Sequence, residues 1–443
     1  MTDLHSLFNA KSVAVVGASA NKEKLGYTIL AAIKEGGYTG EIYPINPKAD
    51  EIMGLKNYRS LTEVPAEIDL IVVVVPSRFV PAVMEEAGQK GVKAAIVITG
   101  GFREAGEEAL EQEVEEIVEK YGMRMLGPNC QGLNYTPNKL CATWPLIKTR
   151  GKMAVISQSG SVGAELGIQS EEEGIGISAV VSLGNKTNIN ELDLLKYFGD
   201  DDNTGSIALY IEAISDGRAF LDTVARVGAK KPITILKPGK TEAGRKAAET
   251  HTNSVTGKRE VFEAVCRQYG LVNADTLEEF YDCAKLLSMI KKPAGKNIQV
   301  LTSTGGGGVL ASDAISQGKL ALAEIGQVLK EKLKQELPER FIIGNPFDLT
   351  GDATAPVYEE TVKKLSRDEG IDLFLAIVGD PIPGVAEVFD GLRKKIRQEI
   401  VVCYFGGGQV QKEETLKMHK LGIPVFPTPE RAVNAIAKMM GND

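Results

Sequence analysis

Histidine occurs three times in 443 residues, and His251 stands in the polar, small-residue stretch Glu249-Thr250-His251-Thr252-Asn253-Ser254. Imidazole is the side chain whose ordinary pKa, about 6.5, leaves it largely neutral and nucleophilic near pH 7. Carried on a loop, it can accept a group at one place and deliver it at another. The plain alternative is a solvated loop histidine. Glu212 follows directly on the apolar run Ile207-Ala208-Leu209-Tyr210-Ile211. A carboxylate at a strand end can accept a hydrogen bond from one imidazole nitrogen and leave the other free to attack phosphorus; a salt-bridge or capping carboxylate is the other reading.

Three glycine-bearing turns offer backbone amides to an anion. Ile156-Ser157-Gln158-Ser159-Gly160-Ser161-Val162-Gly163 and Leu301-Thr302-Ser303-Thr304-Gly305-Gly306-Gly307-Gly308 each join an apolar strand to an expected helix, and glycines and hydroxyls let such a turn close round phosphate. Neither carries the GK[ST] of a P-loop, so both suit phosphate better than a whole nucleoside triphosphate. The third turn, Val16-Gly17-Ala18-Ser19-Ala20-Asn21, follows a strand but lacks two glycines of the dinucleotide fingerprint. The next strand ends Ile45-Asn46-Pro47-Lys48, where an NAD enzyme has an acidic residue. A lysine there suits an extra phosphate, on NADP or at the 3′ position of coenzyme A, or is a surface lysine. Cys130, in Gly127-Pro128-Asn129-Cys130, reads as a structural thiol, with an acyl-transfer nucleophile as the alternative.

The elements that must position these residues are short β-branched runs alternating with amphipathic stretches, the pattern of α/β domains with parallel sheets. Strands are predicted at Ser12 to Val16, Glu41 to Ile45, Leu70 to Val75, Ala94 to Ile98 and Arg124 to Leu126. A second series comprises Met153 to Ile156, Ile177 to Val181, Ser206 to Ile211 and Pro232 to Leu236, followed by a helix from Thr276 to Ile290. A third runs through Ile298 to Leu301, Leu373 to Val378 and Ile400 to Tyr404. Linker-like clusters at Pro145 to Lys152 and Lys291 to Lys296 divide the chain into modules 1–148, 149–292 and 293–443.

A net charge of −8 without a long basic run argues against a nucleic-acid partner. The apolar runs are far shorter than the roughly 20 residues of a membrane span, and Met1-Thr2-Asp3-Leu4-His5 does not resemble a signal peptide. A cytoplasmic protein is expected. Five scattered cysteines without CxxC spacing indicate neither a disulfide framework nor a zinc site, and no metal site is expected in this chain.

Taken together, Gly127-Pro128-Asn129-Cys130, Ser157-Gln158-Ser159-Gly160, Thr250-His251-Thr252-Asn253-Ser254, Gly305 to Gly308 and Asn345-Pro346-Phe347-Asp348-Leu349-Thr350-Gly351 closely resemble the α subunit of ADP-forming acetyl-CoA synthetases, relatives of succinyl-CoA synthetase. The resemblance runs the length of the chain. It implies a CoA-binding Rossmann-like domain followed by two flavodoxin-like ligase domains. It makes His251 a phosphorylated histidine and Glu212 its orienting carboxylate. Gly17, Ser19 and Lys48 would contact coenzyme A, with Val74, Pro76, Thr99 and Gly100 along its pantetheine arm. Asn129, Ser159, Gly160 and Ser161 would hold phosphate near the acyl group, and Gly305, Gly306 and Gly307 would face the histidine in its other position. Acyl-CoA, ADP and phosphate would be converted reversibly to acid, ATP and CoA. ADP or ATP and Mg²⁺ would be held by an ATP-grasp β subunit, in an α₂β₂ assembly, since this chain ends at Gly441-Asn442-Asp443 without such a domain. The family commonly has glycine two positions after the histidine, where this chain has Asn253, a residue that also tolerates left-handed backbone. Two other function classes are a non-catalytic acyl-CoA-sensing module, which would tend to lose the histidine, and an NADP-linked oxidoreductase, which would leave His251 unexplained.

Overall fold

The computed structural model describes residues 4–214, 216–246, 258–351 and 353–441. They form two compact units, Met1–Glu171 with Gly176–Leu271, and Glu172–Ile175 with Val272–Asp443.

The first unit holds two sheets. Strands β1 (Ser12–Val16), β2 (Glu41–Ile45), β5 (Leu70–Val73), β6 (Ala94–Val97) and β7 (Arg124–Leu126) lie in the order β2-β1-β5-β6-β7, all pairs parallel. Strands β3 (Glu51–Ile52) and β4 (Leu55–Lys56) make a small separate hairpin. The three inner strands β1, β5 and β6 are buried at every position, which is why their sequences are continuous Val, Ile and Ala runs rather than alternating ones. In the second sheet β10 (Arg150–Ser157), β11 (Ile177–Ser182), β12 (Ser206–Tyr210) and β13 (Ile233–Leu236) run parallel in the order β13-β12-β10-β11.

Two strands of that sheet come from a segment that reads in sequence as the tail of the first module. β8 (Leu133–Tyr135) pairs antiparallel with β11, and β9 (Leu140–Ala142) pairs with β8. At three residues each they are too short to show a period, and burial of Leu133, Tyr135, Leu140 and Ala142 beside Ala179 and Val181 decides their place. The short helix His5–Phe8 adds to the same continuous core, with Phe8 fully buried and stacked on Tyr197 at 4.3 Å. Burial of such a side chain is worth about 2 to 3 kcal/mol.

The second unit opens with β14 (Val272–Asn273) and builds its sheet from β15 (Asn297–Thr302), β16 (Ala321–Leu322), β17 (Phe347–Asp348), β18 (Leu373–Val378), β19 (Glu399–Tyr404) and β20 (Val425–Phe426). The order is β16-β15-β18-β19-β20, with β17 pairing the end of β15. In its interior the Nζ of Lys285, fully buried, donates to a Glu173 carboxylate oxygen at 3.1 Å and to the Val425 carbonyl at 2.9 Å. Arg431 grips Asp282 through two hydrogen bonds of 2.7 and 2.8 Å. The Val425 N–H donates to His419 Nε2 at 3.3 Å, which leaves Nδ1 as the donor to the Glu173 carbonyl at 2.8 Å. Burial, then the nearby Lys285 charge, hold the pKa of His419 below its ordinary 6.5.

That depression has a definite sign. A histidine harder to protonate in the folded state costs nothing above its unfolded value, and withdraws stability as pH falls below about 6.5. Acid should therefore lower the denaturant midpoint of the second unit, and His419→Gln should flatten this slope. An undiminished slope in the variant would assign it to other groups.

Among the described residues no helix is long and apolar enough to cross a membrane.

Candidate functional site

In each sheet the chain reverses its direction of build-up between two parallel neighbours, and ligands in such sheets lie at the carboxyl ends of those two strands. The reversals fall between β1 and β5, between β10 and β12, and between β15 and β18. The Gly17, Ser159-Gly160-Ser161 and Gly305 turns and Glu212 follow strands at these points.

At the first, Val16 lies opposite Val73, so the Gly17 turn and Val74-Val75-Pro76 leave the sheet side by side. Gly17 has φ +93°, and a Cβ there would lie 2.9 Å from the Val74 carbonyl. A Cβ on Gly26, in the helix Leu25–Glu35, would lie 2.0 Å from the Gly17 carbonyl. These bare backbones bring the turn and the helix start together, a fit for a nucleotide approaching main chain. Ser19 is buried and its Oγ accepts from the Asn21 N–H at 3.1 Å. Asn46 donates to the Ala18 carbonyl at 2.7 Å and accepts from the Lys48 N–H at 2.9 Å, leaving the Lys48 side chain exposed. Pro76 and Gly100 are exposed, while the Thr99 hydroxyl donates to the Val75 carbonyl at 2.7 Å.

The loop after β7 links this edge to the second sheet. Asn129 holds φ +58°, an uncommon conformation for a residue with a Cβ. Its N–H donates to the Thr99 carbonyl at 2.9 Å, and its side-chain amide to Asn185 Oδ1 at 3.2 Å. The Asn185 amide in turn donates to Glu104 at 2.7 Å and Glu111 at 2.9 Å. Glu104 also accepts the Phe102 N–H at 3.1 Å. Burial opposes its charged form, but Asn185 and the backbone donors together bring its pKa below the usual carboxylate value. A Cβ on Gly100 would lie 3.0 Å from Asn129 Oδ1, and one on Gly160 2.7 Å from Gln131 Oε1. Thr99, Gly100, Asn129 and Gly160 are thus brought into one neighbourhood.

Gly160 opens the helix Gly160–Glu172, whose first turn presents free amides and a partial positive charge. The Ser157 hydroxyl donates to the Ser159 carbonyl at 2.5 Å, and Ser159 and Ser161 hydroxyls lie 3.2 Å apart. Ser157 pairs with Tyr210 across the reversal point, which places Glu212, 6% exposed, beside this turn. Gln158 binds the two together, because its Oε1 accepts from the N–H groups of Glu212 at 3.0 Å and Ala213 at 3.3 Å. Its own N–H donates to the Tyr210 carbonyl at 3.0 Å. The Tyr210 hydroxyl, raised in pKa by burial and by Glu212, donates to Glu212 Oε1 at 3.4 Å.

The Gly305 turn belongs to the second unit, where Gly305, Gly306 and Gly307 begin the helix Gly305–Gln317 and Thr302 lies opposite Ile377. The Thr302 hydroxyl accepts from the Thr304 N–H at 2.9 Å, shaping the turn. His251 lies outside the described residues. Cys130 is buried against the Val97 carbonyl, 3.4 Å away, and burial pushes its thiol pKa to about 12, which removes it as a nucleophile. Local sequence does not mark Gly26, nor Gln158 and Asn185, whose partners lie far along the chain. For Lys237 a signal existed: it follows the β13 run as Glu212 follows β12.

Family models match this chain in three consecutive stretches: a CoA binding domain over residues 11–136, a succinyl-CoA ligase like flavodoxin domain over 150–287, and a ligase-CoA domain over 298–438. The α subunit of acetate–CoA ligase [ADP-forming] I of Pyrococcus furiosus is 42% identical, over 98% of this chain and 97% of that one. The chain belongs to the ADP-forming acetate–CoA ligase α-subunit family. Within reach of this family, the dinucleotide forming acetyl-coenzyme A synthetase 1 of Ca. Korarchaeum cryptofilum, solved with phosphate and ADP, is 38% identical with a TM-score of 0.92, covering 100% of this chain and 97% of that one. A 4-hydroxybutyrate–CoA ligase [ADP-forming] of Nitrosopumilus maritimus is 33% identical over 99% of this chain, which spans 64% of that relative. The acid named therefore varies among relatives of this chain.

Proposed function

We propose that this chain is the α subunit of an ADP-forming acyl-CoA synthetase acting on acetyl-CoA, and that it moves phosphoryl groups by way of His251. The observation that carries this reading is the join made by Gln158 between Glu212 and the Ser159-Gly160-Ser161 helix start, at the reversal point of the second sheet. Residues 1–148 would bind coenzyme A through Gly17, Ser19, Lys48, Val74, Pro76, Thr99 and Gly100. Residues 149–292 would carry the phosphohistidine segment, and 293–443 the second phosphate turn at Gly305, Gly306 and Gly307.

Phosphate, held by Asn129, Ser159, Gly160 and Ser161, attacks the thioester carbonyl; the C–S bond breaks, giving acyl phosphate and CoA. His251 attacks phosphorus and the acid leaves. ADP then takes the phosphoryl group from the histidine, re-forming neutral imidazole. Helix amides at each station stabilise the charge in transit. ADP or ATP and Mg²⁺ fall to an ATP-grasp β subunit in an α₂β₂ assembly in the cytoplasm. Among the described residues no three His, Cys, Asp or Glu side chains gather to hold a metal.

The test combines the chain with an ATP-grasp partner and Mg²⁺ and follows thiol release from a panel of acyl-CoAs. Sustained CoA release should require both ADP and phosphate, yield one ATP per CoA, and be fastest with acetyl-CoA. ATP-independent hydrolysis, or turnover without phosphate, would overturn the reading.

A further inference from the structure

Two lysines converge beneath Glu212. Lys237 Nζ donates to the Glu212 carbonyl at 2.6 Å, and Lys186 Nζ to the Ala213 carbonyl at 2.7 Å. With Gln158 on the two N–H groups, both main-chain donors and both carbonyls of this dipeptide are held by side chains from three other segments. All three segments leave the carboxyl edge of the second sheet, after β10, β11 and β13.

The two cations are not equivalent. Lys186 has a carboxylate, Glu191, at 3.1 Å, and that pair is almost wholly buried. Lys237 has no carboxylate within salt-bridge distance among the described residues, and its single hydrogen-bond acceptor there is the Glu212 carbonyl. Burial lowers its pKa from the ordinary lysine value, with the Glu212 charge opposing that shift and the Lys186 charge adding to it. An ammonium has three donors, so two remain for a further acceptor. The ammonium stands at the carboxyl edge of the same sheet that carries the Ser159-Gly160-Ser161 helix start.

We propose that Lys237 is a phosphate-binding residue of this station: anchored on the Glu212 carbonyl, it turns its remaining donors to the oxygens of inorganic phosphate, while Lys186 and Glu191 form a neutral structural pair. This rests on the assignment of the Ser159-Gly160-Ser161 turn to phosphate. The same ammonium anchors the start of the Lys237-Pro238-Gly239 segment, so the anion and the end of β13 are held by one side chain.

In the full α chain with its partner, Lys237→Met should raise the KM for phosphate at least about tenfold, the loss expected for one charge-assisted hydrogen bond. The KM for acyl-CoA should stay within about twofold. Lys237→Arg, which keeps charge and donors, should recover part of the phosphate affinity, and binding of inorganic phosphate measured by titration calorimetry should follow the same ranking. If Lys237→Met fails to fold, Lys237→Arg decides: a KM for phosphate unchanged from the parent chain, despite the altered donor geometry, would overturn the proposal. An unchanged KM for phosphate in folded Lys237→Met, or equal rises for phosphate and acyl-CoA, would also overturn it. His251→Ala separates this inference from the phosphohistidine reading, because it should retain calorimetric phosphate binding whether or not histidine is the carrier.

Discussion

His251→Ala should abolish ATP formation, by roughly four orders of magnitude or more, while leaving the first half of the reaction in place. Removing a covalent nucleophile eliminates a route, and losses of that size are typical. The residues assigned to the thioester step, Thr99, Gly100, Asn129 and Gly160, are gathered by hydrogen bonds and close packing with one another, Asn185 and Gln131. Phosphate-dependent exchange of labelled CoA into acyl-CoA should therefore survive in the variant. Incubation of the parent complex with labelled ATP and Mg²⁺ should leave acid-labile, alkali-stable phosphate on this chain. Label that persists in the variant would remove His251 as the carrier, and loss of CoA exchange along with ATP formation would mean that the two halves are not separable.

Glu212→Gln should slow phosphorylation of the histidine by up to about ten-thousandfold, the loss known where a carboxylate that orients a catalytic imidazole becomes an amide. The backbone at this position is held by Gln158 and Lys237, and that of the next residue by Gln158 and Lys186, so the substituted side chain stays at the same place. What changes is chemical: an amide neither balances the charge of an imidazolium nor selects one tautomer as a carboxylate does. The KM for acyl-CoA should move little, because the residues assigned to CoA lie on the first sheet. A single-turnover labelling rate equal to that of the parent chain would reduce Glu212 to a structural carboxylate. A parallel loss of thermal stability beyond a few degrees would point the same way, since its side chain is buried beside Tyr210.

Gly17, Ser159, Gly160 and Gly305 to Gly307 were legible because a strand run, a break and a glycine or hydroxyl cluster lie within about ten residues of one another, and local backbone chemistry shapes such turns. Glu212 was legible as a strand-end carboxylate for the same reason. The strand runs themselves were read to within two residues at most ends, because full burial on both faces demands unbroken apolar sequence. The short strands Leu133–Tyr135 and Leu140–Ala142 escaped that logic, the first being placed by pairing with Ile177–Ser182 and the second by pairing with the first.

By itself the sequence determined an alternating α/β chain with three anion-suited turns, a strand-end carboxylate and a rare histidine, and its motifs named the family. Only the tertiary structure decided which strands became neighbours, and hence that each turn stands at a point where the sheet reverses its order. It also decided that Gln158 joins Glu212 across 54 residues, that Asn185 holds Asn129 across 56, and that Lys237 meets the Glu212 carbonyl across 25. The reason is physical. A turn's conformation is set by the few residues within it, whereas a buried donor takes whichever acceptor the strand order brings within 3 Å, and strand order follows from burying every apolar face at once.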